Sequence, residues 1–393
     1  MFPPPIEYLR WIRCPRTHEG VRYSFVLSGM PPPDPSFLAS IPPGAWIEGV
    51  GVDHPALAHR LAESWGVSPR QVLLQPGSHW NLLLATAARL AHRPGPVVVE
   101  QPAYEPLRRI PVALGAEVLR LPRRRSRGRG IDPRDLDRLA SHDPSLLLLS
   151  QPHNPSMAVL DASDRQRLAA WSRETGCAIL SDEVYLEFLE DFPAHSLHSV
   201  LPEAAIIRSF TKVMGLGSIR TSALVAPMPW IAAAAALSDY GPVFLPMPSQ
   251  AVAAAAWRQR ERLWQRARRL SAARRETVAR WARRVEGLLD LELGEAGIIG
   301  FAHLHEEAAR KAAATARRRG VETPFGFSLD GAPDASIWWI EDLRRREGVL
   351  VTPGGFFEEP RGFRLGFGVE AEILEEGLDR LAGYLEQAVG QGA

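Results

Sequence analysis

Between residues 72 and 226 this 393-residue chain lays down six short apolar runs, at 72–74, 96–99, 146–149, 178–180, 205–207 and 222–226. Each run is continuous. A strand with one face in water alternates apolar and polar residues, whereas a strand covered on both faces reads as an unbroken apolar run. Helical patterns lie between several of the runs, at 82–91, 103–114 and 162–175, the last with Asp161 in capping position and Gly176 just past its end. The pattern predicts an α/β fold, a mostly parallel doubly wound sheet with helices on both faces. The run at 222–226 follows Lys212 too closely for a crossover helix, so an antiparallel strand fits there.

After Pro248 the character changes. Residues 251–286 are rich in Ala, Arg and Trp and contain no Gly or Pro, which predicts one long helix or a broken pair, with Trp257, Trp264 and Trp281 on one helix's packing face. The remainder mixes strand-like segments at 349–351 and 363–367 with helical ones near 308–319, 336–340 and 370–388. The expected division is an N-terminal arm at 1–45 packing on a small lobe, a large sheet lobe at 46–250, an interdomain helix at 251–286, and a smaller α+β lobe at 287–393.

Composition excludes more than it selects. A net charge of +1 gives no bulk attraction to nucleic acid or membrane. No apolar run is long enough to span a bilayer. The Met-Phe-Pro-Pro-Pro start has neither a basic nor an apolar signal region, and two cysteines make no disulfide framework, so a reducing cytoplasm is expected. The arginine-rich stretch 123–129 reads as a solvated loop. The pairs His303/His305 and His195/His198 read as solvated histidines rather than a metal site, for want of a cysteine or a His-Glu-x-x-His partner.

Lysine is the informative residue. Of 46 basic residues only Lys212 and Lys311 are lysines. Arginine replaces lysine on a solvated surface but cannot supply a neutral amine. Lys311 lies in an amphipathic helical stretch; Lys212 follows a strand, in Ser209-Phe-Thr-Lys212.

Ligands in open α/β sheets bind beyond the carboxyl ends of the strands. After four of the six runs, those at 72–74, 146–149, 178–180 and 205–207, come Gly77-Ser78-His79 opening a helix, then Asn154-Pro, then Asp182-x-x-Tyr185, then Ser209-x-x-Lys212 and Arg220. An amine, a carboxylate, a phenol, an amide and a helix N-terminus suited to an anion are thus gathered at one sheet edge. With Ser28-Gly29-Met30-Pro31 near the start, Gln101-Pro-Ala-Tyr104, and Pro353-Gly354 followed by Phe363-Arg364-Leu-Gly, the sequence resembles the fold-type I, class I/II aminotransferases that use pyridoxal 5'-phosphate.

The resemblance covers nearly the whole chain and implies roles. Lys212 would hold the cofactor as a Schiff base, and Asp182 would face its pyridine nitrogen. Asn154 and Tyr185 would bond its phenolate oxygen, and Tyr104 would stack on its ring. Gly77, Ser78, His79, Ser209 and Arg220 would cradle its phosphate. Arg364 would grip the substrate α-carboxylate, with Gly29 and Asn154 beside it. Trp46 stands where the family carries a residue that reaches the partner subunit, so a homodimer is implied. The implied reaction moves an amino group between an α-amino acid and a 2-oxo acid. Elimination, decarboxylation or cyclisation would use the same constellation. A PLP-binding regulator is a further alternative, disfavoured because the arm leaves no room for a DNA-binding domain.

Overall fold

The computed structural model describes residues 3, 5–46, 54–242, 245–322 and 335–390, with the side chains of 45, 46 and 54–56 excluded. Among the described residues thirteen strands run in chain order: β1 Tyr23–Ser24, β2 Val72–Gln75, β3 Val97–Gln101, β4 Val118–Pro122, β5 Leu146–Ser150, β6 Ala178–Asp182, β7 Ala205–Ser209, β8 Ser222–Val225, β9 Leu289–Glu292, β10 Ile299–Leu304, β11 Val349–Leu350, β12 Thr352–Pro353 and β13 Gly362–Gly366. Seven form one sheet in the order β2-β8-β7-β6-β5-β3-β4. Its β7-β6-β5-β3-β4 portion is parallel.

The continuous apolar runs have a direct cause. Leu146, Leu148 and Leu180 feed a core on one face of the sheet. Leu147, Leu149 and Ile179 feed a second core on the other, against Leu136, Leu168 and Trp171. The helix Ala162–Thr175 begins as expected, with Asp161 accepting from the Asp164 N–H at 2.7 Å. It ends at Gly176, whose φ of 68° suits a residue without a side chain. Strand β4 and the helix Pro133–Ala140 escape the sequence pattern. β4 is an edge strand, half-buried and carrying Arg120, so its run is broken.

β8 is antiparallel to both its neighbours, as the short connection after Lys212 requires. Its first residue, Ser222, therefore pairs with Ser209 and with Gln75, and Ser150 pairs with Asp182. The carboxyl ends of β2, β5, β6 and β7 and the start of β8 meet at one edge, which brings Arg220 to the same side as Lys212. A parallel β8 would have put Arg220 at the opposite edge.

The segment after Pro248 is a broken pair, Met247–Arg258 and Arg260–Arg284. The break corrects the single packing face: Trp257 lies on the first helix, and Trp264 and Trp281 on the second. Trp257 and Trp264 meet edge-on at 5.8 Å across the break. Beyond it, β12-β13-β10-β9 form an antiparallel sheet. The N-terminal arm joins these C-terminal elements. Tyr23 pairs with Val349, the Phe25 carbonyl accepts from Gly366 N–H at 2.7 Å, and Tyr8 packs edge-on against Phe356 at 5.7 Å.

Residues 123–129 are a solvated loop only in part: 124–128 are exposed, but the arginines at its two ends are not. Arg123 and Arg129 are buried at 1% and 3% exposure. Arg123 pairs with Glu100 on β3 at 2.6 Å, and Arg129 forks onto Glu292 on β9. His303 is likewise not solvated: its ring joins Glu292. Among the described residues no helix is long and apolar enough to cross a membrane.

Removing one partner of a buried pair leaves the other charged and unpaired. Arg123→Ala should therefore lower stability by about 3–5 kcal/mol, read as a shift in the urea unfolding curve. A loss under about 1 kcal/mol would show that Glu100 is neutral or solvated in the folded protein.

Candidate active site

At the carboxyl edge of the large sheet a cavity of about 100 Å³ is lined by Tyr8, Ser28, Ser78, His79, Tyr104, Asn154, Asp182, Val184, Tyr185, Thr211, Lys212 and Arg220. Eight of these are residues that the sequence pattern selects.

The Lys212 amine donates to Ser28 Oγ at 2.8 Å and lies 5.7 Å from the centre of the Tyr185 ring. The chain at 28–30 closes over it: Met30 N–H donates to the Lys212 carbonyl at 2.8 Å, and a Cβ on Gly29 would press on Thr211 O at 3.2 Å. Gly29 thus shapes the cover rather than lining the cavity. Burial draws the Lys212 amine down to about 8; Arg364 and Arg220 add to this, and Tyr8 and Asp182 oppose it. Asp182, at the end of β6, is pushed up to about 7 by burial, against the pull of Lys212 and of the Val184 N–H. Burial also raises the Tyr185 phenol, with Arg364 and Ser28 pulling the other way, and its hydroxyl makes no close hydrogen bond among the described residues.

The opposite wall suits an anion. Gly77 has φ 91°, and a Cβ there would overlap the Arg220 guanidinium. Arg220 itself sits at φ 50°, a left-handed conformation that disfavours side chains. The helix Ser78–His92 starts beside it, and N–H groups of its first turn lack intrahelical partners.

Arg364, on β13, is 1% exposed. It donates to Asn154 Oδ1 at 3.2 Å, Tyr8 Oη at 3.0 Å and the Val26 carbonyl at 3.2 Å. Its Nε is buried without a partner, and no carboxylate pairs with it among the described ion pairs. The loop bearing Asn154 is pinned from behind by the buried His153, held between Ser156 Oγ at 2.7 Å and the Pro102 carbonyl at 2.9 Å. Burial first, and Arg123 second, keep that ring far below the usual histidine range and so neutral.

Like Gly29, Gly77 and Arg364 are not among the residues that line the cavity, Arg364 standing behind Tyr8 and Asn154, and two further expectations fall elsewhere. Ser209 does not line this cavity; its Oγ accepts from the Thr211 N–H at 3.0 Å and so shapes the turn before Lys212. Trp46 ends a short 3-10 turn, and its side chain lies outside the described residues. Tyr8 and Ser28 belong to the site, although only the motif around Gly29 hints at Ser28 and nothing in the Pro-rich arm singles out Tyr8. A larger cavity, about 410 Å³, opens beside Arg89, Cys177 and Trp230 at the amino edge of the sheet, away from this constellation.

The donor set fits pyridoxal phosphate: a half-buried amine, a buried carboxyl, a buried phenol, and an anion cradle cleared by Gly77. Comparison agrees. Residues 48–381 match the family described as aminotransferase class I and II. The chain is 29% identical over 285 residues to the capreomycidine synthase of Streptomyces vinaceus, covering 72% of this chain and 66% of that protein. It is 30% identical over 167 residues to the histidinol-phosphate aminotransferase of Chlorobium luteolum, covering 42% and 45%. The matches thus span less than two thirds of these curated relatives. A PLP-dependent aminotransferase from Streptococcus suis shares the fold with a TM-score of 0.80 at 23% identity, covering 98% and 99%.

With only two lysines in the chain, the amine can be read directly. In cofactor-free protein, modification of Lys212 by an amine-reactive reagent should rise with pH around a midpoint near about 8, against 10.5 for an ordinary lysine. Peptide mass spectrometry across a pH series measures it. A midpoint near 10.5 would mean that water solvates the amine.

Proposed function

The chain belongs to the class I and II aminotransferase family, with pyridoxal phosphate as its cofactor, and from that premise we propose that it moves an amino group between an α-amino acid and a 2-oxo acid. The observation that carries this reading is Arg364. A fully buried guanidinium with a free Nε and no carboxylate counter-ion among the described residues is costly unless an anion joins it, and a carboxylate matches its fork. On this reading residues 46–250 hold the cofactor and 287–393 carry the clamp.

When bound, pyridoxal phosphate supplies an aldehyde that condenses with amines and a ring that accepts electron density from the substrate α-carbon. The chain's own groups do the rest. Ser78, His79 and Arg220 would hold the phosphate, and Tyr185 and Asn154 the ring oxygen, with Tyr104 beside the ring. Asp182 would hold a proton on the ring nitrogen; a positive charge there favours its ionised form as the Lys212 charge does. Lys212 Nζ, released when the substrate amine takes its place, would remove the α-proton, and an amine drawn down to about 8 is fit for that near neutral pH. Ser28 Oγ stands ready to orient it. Tyr8, Tyr104 and Tyr185 wall the space from water. We extend the reading to a cytoplasmic homodimer in which Trp46 reaches the neighbouring subunit; the support is family membership.

A second reading, a synthase reaction on the same constellation, is favoured by the capreomycidine synthase match, which covers more of this chain than the histidinol-phosphate aminotransferase match does. Purified enzyme and a panel of amino acids separate the two. Transamination predicts that amino acids without a leaving group yield pyridoxamine phosphate and that a 2-oxo acid reverses the change. Asp182→Asn should keep the cofactor yet slow that half-reaction by about 100-fold or more. If no amino acid yields pyridoxamine phosphate while a substrate with a leaving group is turned over, the second reading replaces the first.

A further inference from the structure

The geometry points to Arg129 and Glu292 as positioning residues for the Arg364 clamp, an inference that rests on Arg364 acting as proposed above. Neither residue reaches the cavity. Both belong to a closed circuit of contacts that returns to Arg364 from two sides.

One side runs through the large sheet. The Asn154 side-chain oxygen accepts from Arg364 at 3.2 Å, and the Asn154 N–H donates to Ser150 Oγ at 2.9 Å. Ser150 donates through both its N–H and its hydroxyl to Glu100 Oε1, each at 2.6 Å. The second oxygen of Glu100 meets Arg123 at 2.6 Å. The other side starts at Arg123. Its Nε donates to the Arg129 carbonyl, and Arg129 Nη1 donates back to the Arg123 carbonyl at 2.7 Å. Arg129 then forks onto Glu292, with Nε to Oε2 at 2.8 Å and Nη2 to Oε1.

Glu292 closes the circuit through sheet register. It stands opposite Phe301 on β10, and Phe301 stands opposite Arg364 on β13. Glu292, Phe301 and Arg364 therefore form one row across the antiparallel sheet. A bidentate guanidinium–carboxylate pair fixes both distance and plane, and a satisfied buried network is stiff. The Arg129–Glu292 fork thus sets where that row sits relative to Ser150 and Asn154, and hence the spacing between the two groups facing the substrate carboxylate.

The fork is permanent at working pH. Burial alone would raise Glu292, but Arg129 and His303 hold it down at about 2, so the charge persists until pH falls through that value. Arg125 at 3.6 Å also faces Glu292, and Glu359 faces both Arg129 at 3.8 Å and His303 at 3.9 Å.

The test uses the cofactor-loaded enzyme with Glu292→Gln, which keeps size and loses charge, and Arg129→Lys, which keeps charge and loses the fork. Arg364→Ala is the reference. KM and kcat are measured for the panel amino acid that converts the cofactor most readily, and crystal structures of the variants read the Asn154–Arg364 separation. Glu292→Gln should raise KM about tenfold and change kcat by less than about twofold. Its cofactor absorption should be unchanged, and its Asn154–Arg364 contact should lengthen beyond hydrogen-bond reach. Arg129→Lys should move the same quantities in the same direction by less, and it alone suffices if Glu292→Gln fails to fold. An unchanged contact and KM in the variants, with Arg364→Ala losing substrate binding, would overturn the positioning role and leave the clamp intact. A rise in KM accompanied by a comparable loss of kcat and of cofactor content would also overturn it, as a merely structural effect. Arg364→Ala binding substrate normally would remove the clamp itself.

Discussion

Everything at the carboxyl edge of the large sheet depends on keeping one amine out of bulk water. Among the described residues the half-buried Lys212 amine has Ser28 Oγ as its hydrogen-bond acceptor. Three tyrosines and the chain at 28–30 do the drying. Burial raises Asp182 and lowers Lys212, while the charge of each pulls the other back.

Topology delivers the groups to that edge, and sheet direction is the decisive detail. Because β8 is antiparallel to β7 it starts from the edge where β7 ends, so Lys212 and Arg220 face one cavity from the two ends of a single short connection. The anion cradle and the amine are therefore fixed to the same pair of central strands. Arg364 arrives from a different sheet, and its placement has to be secured by side chains rather than by a shared strand. The buried arginines of 123–129 meet that need, and their burial is otherwise hard to justify against the cost of desolvating charge.

The parts of this arrangement that were legible in sequence share a physical cause. The strands from β5 to β7 read clearly because both faces feed apolar cores, and Lys212 stands out because arginine has replaced nearly every other lysine. Asn154, Asp182 and Tyr185 could be placed because each follows a strand closely, where direction is set by the backbone. Arg123 and Arg129 misled because their partners, Glu100 and Glu292, are 23 and 163 residues away, and a run of arginines carries no trace of such pairing. Tyr8 was invisible for the same reason: it reaches Arg364 across 356 positions from the helix Glu7–Arg13, ahead of the first described strand. The broken helix at Gln259 left no Gly or Pro to mark it.

The central claim is that Lys212, and not the solvent-side Lys311, carries the cofactor. Borohydride reduction of the loaded enzyme, followed by digestion and peptide mass spectrometry, tests it directly. A phosphopyridoxyl group is expected on the peptide containing Lys212 and none on the peptide containing Lys311. A label on Lys311, or no labelled lysine in an enzyme that still binds pyridoxal phosphate, would contradict it.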